Sequence, residues 1–261
     1  PDYVFDQKKS DTYLLNGVLL EREGDSNIFI PRRNPGFCSA RRIYNDQGKE
    51  NYWIVTEKTG LKKVFGKYLL NDMENNSTQG TGAEIFSWYL TEESDLFGNT
   101  VIYKYKKDRG AVYLSEIKYT GFGKKEGNYR IVFNYETGRK DVKIDGRSKT
   151  LVENRLLLTS IQTSMKVNGS EQIIKSFSFK YKEDLAAASL LDSLTVWAGD
   201  FESENKYTYF FEYESVNKDE MFDSPVPYFV YDDESINIST ASSSSKGITF
   251  QNLNYFNFYN I

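Results

Sequence analysis

Apolar side chains return at every second position along most of the chain. Tyr129, Ile131, Phe133 and Tyr135 share one face of residues 129–135, and Ile173, Phe177, Phe179 and Tyr181 share a face further on, with Lys175 the exception. Tyr207, Tyr209, Phe211 and Tyr213 make a third stripe. Alternation in aromatic and β-branched residues marks half-buried strands, because successive side chains point to opposite faces. Turn dipeptides punctuate these runs at Asn16-Gly17, Gly98-Asn99, Gly127-Asn128, Asp145-Gly146 and Asn168-Gly169. Only residues 183–189, Glu-Asp-Leu-Ala-Ala-Ala-Ser, read as one or two helical turns. Residues 71–82 and 239–247, the latter containing four consecutive serines, read as loops, with Pro225 and Pro227 punctuating the chain before the second. Residues 250–261 are aromatic again and read as a last strand or as the lead into a neighbouring domain.

The strands repeat. An aromatic-x-Tyr pair occurs at Tyr103/Tyr105, Phe133/Tyr135, Phe179/Tyr181 and Phe211/Tyr213. Between these pairs lies Leu-x-x-(Ile/Leu), at Leu114/Ile117, Leu158/Ile161 and Leu191/Leu194. The step from this second pattern to the next aromatic pair is 16, 18 and 17 residues, whereas the step from Tyr to the following Leu is 9, 23 and 10. The near-constant first spacing predicts three two-strand units, the middle one carrying an insertion around 137–150. The fold class is therefore all-β, with repeated antiparallel hairpins forming a large curved or stacked sheet.

Composition narrows what such a sheet can do. The 261 residues, 30.2 kDa, suffice for one large β-domain or two small ones. Lys and Arg number 33 against 37 Asp and Glu, a net charge of −4 that gives no global pull toward nucleic acid or a membrane surface. Aromatic residues make up 16%, with 20 Tyr, and there is no His. That excludes a Ser-His-Asp or Cys-His triad and a His-ligated metal within this chain, and the single Cys excludes an internal disulfide and a Cys-rich zinc site. No cofactor or metal is expected. Pro1–Asp6 shows neither the basic nor the apolar region of a signal peptide, and no window holds eighteen uninterrupted apolar residues. The start at Pro1 reads as a processed product or a piece of a longer chain.

Candidate chemistry is sparse. Cys38 lies beside Arg41 and Arg42, which would lower its pKa, but it has no His as base and reads as a structural thiol. Arg32, Arg33, Arg41 and Arg42 form a local basic patch, able to meet phosphate or an acidic partner and more simply read as a solvated face. Glu92, Glu93 and Asp95 precede a Gly-Asn turn and read as turn residues rather than a catalytic pair. Glu21/Glu23 and Glu212/Glu214 have the Glu-x-Glu spacing of ADP-ribosyltransferases without the rest of that site. No phosphate-binding glycine motif occurs. Sequons stand at Asn75, Asn76, Asn168 and Asn237. Exposed aromatics would suit a sugar platform, although their period-two placement assigns most of them to the core.

An ordered set of motifs points further. Residues 11–20 (Asp-Thr-Tyr-Leu-Leu-Asn-Gly-Val-Leu-Leu) are followed by 35–43 (Pro-Gly-Phe-Cys-Ser-Ala-Arg-Arg-Ile). Then come Trp53-x-Val55-Thr56-x-Lys58-x-Gly60, Val64-Phe65-Gly66 and Trp88-Tyr89-Leu90. Last come Asp95-x-x-Gly98-Asn99-x-x-x-Tyr103-x-Tyr105 and Leu114 to Gly121. This order resembles the amino-terminal region of SpvB-type virulence proteins and of the B component of Tc insecticidal toxin complexes, relatives of the Rhs/YD-repeat proteins, over about residues 11–215. The resemblance implies a β-scaffold without catalytic residues. In Tc complexes this region helps build a hollow shell around a toxic carboxy-terminal segment and docks through a propeller onto a channel. In SpvB it precedes a separate ADP-ribosyltransferase domain. No sequence for that enzyme, for the autoproteolytic Rhs motif or for propeller repeats is present. The implied organisation is a scaffold over 1–215 and a loop-rich extension with a final aromatic strand over 216–261. The implied partners are toxin subunits, and the implied location is secreted or extracellular. A carbohydrate-binding or adhesion module is the alternative. The structural motif residues are Trp53, Gly60, Gly66, Trp88, Asp95, Gly98, Asn99, Tyr103, Tyr105, Phe133, Tyr135, Phe179, Tyr181, Phe211 and Tyr213.

Overall fold

A computed structural model describes residues 12–33, 38–44, 51–67, 75–81, 84–146, 151–183, 188–213 and 257–260. Among them every regular element is a strand, and every strand pairing is antiparallel. The first group of strands is β1 (Tyr13–Leu15), β2 (Val18–Arg22), β3 (Ile28–Pro31), β4 (Cys38–Tyr44), β5 (Asn51–Glu57), β6 (Lys62–Phe65), β7 (Thr78–Thr81) and β8 (Glu84–Ser94). The second is β9 (Asn99–Asp108), β10 (Ala111–Phe122), β11 (Tyr129–Thr137), β12 (Lys143–Asp145), β13 (Val152–Asn154), β14 (Leu156–Val167), β15 (Ser170–Glu183), β16 (Ser189–Trp197) and β17 (Lys206–Phe210). The last strand, β18 (Asn257–Asn260), returns to pair between β1 and β8. These belong to one unit, Pro1–Phe211 with Tyr255–Ile261. The second unit, Glu212–Asn254, lies outside the described residues beyond 213.

All strands except β12 and β13 join one 16-stranded sheet. Its first part closes on itself. β8 pairs with β18 at Ser87–Tyr89 and with β6 at Leu90–Ser94, so the ring runs β8-β18-β1-β2-β3-β4-β5-β6 and back to β8. Eleven residues let β8 serve several partners, and a bulge at Thr91 re-aims it midway: Phe65 opposes Leu90 while Val64 opposes Glu92. An eight-strand ring has an interior that side chains can fill. Here Tyr13, Leu20, Phe29, Ala40, Trp53, Phe65 and Trp88 fill it. Trp53 and Trp88 are fully buried and meet edge to face at 6.0 Å. The Trp88 indole donates to the Asn51 carbonyl at 2.9 Å.

From β8 the second part runs as an open arm, β8-β9-β10-β11-β14-β15-β16-β17. The 137–150 insertion holds β12, which pairs with β13 as a separate ribbon. Arg155 fastens that region to the β9–β10 turn through two bonds to Asp108, at 2.6 and 2.8 Å. A second small core of Ala111, Tyr113 and Leu156 lies beside it.

The hairpin turns follow the sequence closely. Asn16-Gly17 and Asn168-Gly169 both carry positive φ at both positions and close two-residue loops, the geometry whose twist matches the flanking strands. Arg109-Gly110 does the same without an Asn signal.

Three expectations need correction or fall elsewhere. Residues 78–81, within the segment read as a loop, form β7, which pairs with β8. Most of the third aromatic stripe is not half-buried: Tyr207, Tyr209 and Tyr213 are 55%, 50% and 44% exposed, every residue of β17 is exposed, and of the four only Phe211 is half-buried. β17 is the sheet's terminal strand, with a strand, β16, on one side only among the described residues. Of the segment read as helical, Glu183 ends β15 and Ser189 begins β16, while 184–187 lie outside the described residues, as do the serine run at 239–247, both prolines and Asn237.

Candidate functional site

The motif residues divide into a barrel set and an arm set. In the barrel, Trp53 and Trp88 are the two largest fully buried side chains. Gly66 sits against Trp88: its φ is +72°, and a Cβ there would collide with the indole at Trp88 Cδ1. Gly60 has φ +85°, and a Cβ there would meet the Leu96 side chain at 2.5 Å. Asp95, Gly98 and Asn99 build the β8–β9 turn. Asp95 Oδ1 accepts the backbone N–H of Phe97 at 2.9 Å and of Asn99 at 2.8 Å, and Oδ2 accepts the Asn99 amide at 2.7 Å. The bond from the Asn99 side chain, then the backbone bonds, holds the Asp95 carboxyl below its ordinary pKa. The Asp-x-x-Gly-Asn motif is therefore a self-contained turn.

In the arm, three of the four repeated Tyr make the same bond. Tyr105 donates to the Leu90 carbonyl at 2.6 Å, Tyr135 to Leu114 at 2.8 Å and Tyr181 to Leu158 at 2.8 Å. Each acceptor Leu precedes a bulge, at Thr91, Ser115 and Thr159. Each Tyr also faces the Leu of the next strand: Tyr105 opposite Leu114, Tyr135 opposite Leu158 and Tyr181 opposite Leu191. Phe133 and Phe179 are half-buried. Tyr103 donates to Glu93 at 3.0 Å, and burial, then the Glu93 charge, pushes its phenol pKa up. Phe211 is half-buried and its N–H bonds Asp192 at 2.9 Å, while Tyr213 is 44% exposed.

The barrel's two mouths hold the remaining chemistry. One is lined by Cys38, Glu57 and Lys63. The Lys63 ammonium is buried and bonds Glu57 at 2.6 Å, with Glu93 3.8 Å away. Burial, then the Glu57 charge, raises the Cys38 thiol pKa, and Lys63 only partly offsets this. That is the environment of an unreactive thiol.

The other mouth is a cavity of about 530 Å³ lined by Tyr13, Arg22, Asn27, Phe29, Arg42 and Tyr44 among others. The basic patch read from sequence is split there. Arg32 pairs with Glu21 at 3.3 Å in solvent and Arg41 is exposed, whereas Arg42 points inward. Period two could have shown this, since Cys38, Ala40 and Arg42 share one face of β4 and Ala40 is fully buried. Arg22 and Tyr44 were not signalled. Glu92, Glu93 and Asp95 lie on β8 and its turn, with Glu93 near Lys63 and Asp95 occupied in the turn. Among the described residues no group of three His, Cys, Asp or Glu is placed to hold a metal ion, and no helix is long and apolar enough to cross a membrane.

A filled barrel continuing into a bulged, open antiparallel sheet is a fold shared with solved toxin components. The N-terminal domain of effector protein SpvB from Salmonella typhimurium strain LT2 matches with a TM-score of 0.56 at 12% identity, over 76% of this chain and 80% of that one. A TcdB2-TccC3-Cdc42 structure matches at 0.59 and 13% identity, over 77% of this chain. The Photorhabdus luminescens Tc holotoxin pore matches at 0.58 and 14%, over 74%. The chain spans 14% and 12% of those two larger chains. Residues 19–140 match the family described as Salmonella virulence plasmid 65kDa B protein. No match is found among curated proteins.

Proposed function

We propose that the chain is a non-catalytic scaffold and docking domain of a secreted bacterial toxin or virulence protein. On this reading residues 1–215 form the scaffold, helping to enclose or present a toxic partner segment. The observation that carries the reading is the open arm ending in β17, all of whose residues are exposed. A terminal strand without a covering layer invites another strand. The solved relatives supply the class of partner, since they are assembled as TcdB2-TccC3 and as a Tc holotoxin pore.

The edge has a defined polarity. Asn205 bonds Ala198, just past β16, and Phe211 bonds Asp192 of β16, so the backbone groups of odd positions face β16 and those of Thr208 and Phe210 point outward. Co-expression with a Tc C-type component should therefore give a co-purifying complex, and Phe210→Pro should weaken it by removing an outward backbone donor while leaving the backbone bonds to β16 in place. Catalysis by the purified chain, lost with a single carboxylate substitution, would overturn the reading. The second reading, a glycan-binding module, is favoured by the exposed Tyr207–Tyr209 pair, whose rings meet at 5.1 Å. Glycan-array binding abolished by Tyr209→Ala would support it.

A further inference from the structure

Three hairpin turns come together at one end of the strands that join the barrel to the arm. Lys62 of β6 opposes Ser94 of β8, and Ser94 opposes Thr100 of β9, so the β5–β6 turn lies beside the β8–β9 turn. The Gly123 N–H donates to the Gly98 carbonyl at 2.8 Å, which sets the β10–β11 turn on the other side. In the middle turn Leu96 and Phe97 are 74% and 81% exposed, and Phe122, entering the third, is 63% exposed. Phe122 lies over Gly98, where a Cβ would stand 3.4 Å from its ring, so the three side chains make one patch. The turn itself does not need them. Asp95 and Asn99 close it by their own bonds, and polar residues suit its two middle positions. Single exposed apolar side chains are ordinary, whereas a contiguous group on a fixed turn marks an interaction site.

Charge says what covers the patch. Residues 58–62, 95–99 and 122–125 carry Lys58, Lys62, Lys124 and Lys125, all exposed, against one carboxylate, Asp95, whose oxygens are taken up in the turn. Glu57 and Glu126, just outside these ranges, are bonded to Lys63 and Lys118. We propose that this end of the molecule docks on an anionic lipid surface, with Leu96, Phe97 and Phe122 entering the interface and the four lysines meeting the headgroups. An apolar centre with ammonium groups on both sides matches acyl chains lying beneath anionic headgroups, and long lysine stems reach those headgroups from apolar depth. An apolar pocket on a protein would leave the ammonium groups unmatched, and a polyanion would leave the three apolar side chains in water. The attraction is local, since the whole chain carries a net charge of −4. This site goes beyond the scaffold reading and does not use the β17 edge.

Sedimentation of the whole chain with vesicles tests this. Vesicles of about 70% phosphatidylcholine and about 30% phosphatidylserine should bind it at least about tenfold tighter than phosphatidylcholine alone, and raising salt from about 0.1 M to about 0.5 M should weaken the binding. Phe97→Ser removes an apolar side chain that is already in solvent, so it should weaken vesicle binding at least about fivefold while the thermal melt stays unchanged. Lys124→Gln combined with Lys125→Gln should also weaken it and flatten the salt dependence. Phe97→Trp should keep the affinity and add tryptophan emission that bromine-labelled acyl chains quench, which reads insertion directly. Equal binding to the two kinds of vesicle, no binding by about 1 mM lipid, full binding by Phe97→Ser, or no added quenching in Phe97→Trp would each overturn the proposal. Absence of vesicle binding, with co-purification of the Tc C-type component lost in Phe97→Ser, would overturn it in favour of a protein partner at the patch.

Discussion

The hydroxyl of Tyr135 on β11 donates to the carbonyl of Leu114 on β10, 2.8 Å away, at the residue after which β10 bulges. The same bond joins Tyr105 to Leu90 and Tyr181 to Leu158. A bulge interrupts the ladder, and the phenol bonds the carbonyl of the residue just before it. Removing only the hydroxyl, as in Tyr135→Phe, should therefore cost about 1–2 kcal/mol, the range for a carbonyl left without its bond. Tyr105→Phe and Tyr181→Phe should cost similar amounts. Urea titration of the three variants checks this, and three unchanged midpoints would remove the role given to the repeat.

This repeat also explains what was legible in the sequence. Aromatic-x-Tyr and Leu-x-x-(Ile/Leu) stood out because each Tyr must reach one Leu and oppose another, which fixes their spacing. The hairpin turns were legible because Asn-Gly satisfies two positive-φ positions. Barrel closure was not, because it depends on β8 pairing with β6 and on β18 arriving from the far end of the chain, contacts that leave no local period. The inward turn of Arg42 was legible only through the period-two face it shares with Ala40. Four adjacent rings can hold a cation inside a barrel, and a list of arginines close in sequence does not show which face each one takes.

Core substitutions should separate the barrel from the arm. Sequence alternation placed Phe133 and Phe179 in a core, where truncation costs about 3–5 kcal/mol. The structure leaves both half-buried on the open arm. Phe133→Ala should therefore cost less, about 1–2 kcal/mol, whereas Trp53→Ala, in the fully buried barrel centre, should cost about 3–5 kcal/mol or prevent folding. Denaturant midpoints in which Phe133→Ala equals Trp53→Ala would mean that a second layer covers the arm.

Two glycines with similar φ should respond differently to alanine. Gly17 has φ +78° and open space around it, so Gly17→Ala pays only for the left-handed backbone, about 1 kcal/mol. Gly66 has φ +72° and Trp88 in the way, so Gly66→Ala adds overpacking and should cost about 2–4 kcal/mol. Thermal melts of the pair isolate the steric part. Equal losses would show that Trp88 shifts freely.

Asp95 should shape the acid limb of stability. Its folded pKa is depressed, first by the Asn99 side-chain bond and then by backbone bonds from the same turn. A depressed carboxylate contributes stability that is present above its unfolded pKa, about 3.9, and is lost as pH falls through the lower folded value. Below about pH 4 the native chain should therefore lose stability more steeply than Asp95→Asn, which keeps an oxygen acceptor but has no proton to take up. Asp108, Glu126, Asp141 and Glu171 are depressed as well, by bonds to Arg155, Lys118, Ser189 and Ser164 in turn, so part of the slope should survive in the variant. Urea midpoints measured from pH 6 down to pH 3 read the difference. Parallel curves for the two proteins would mean that the turn is as well formed with a protonated Asp95 as with the carboxylate.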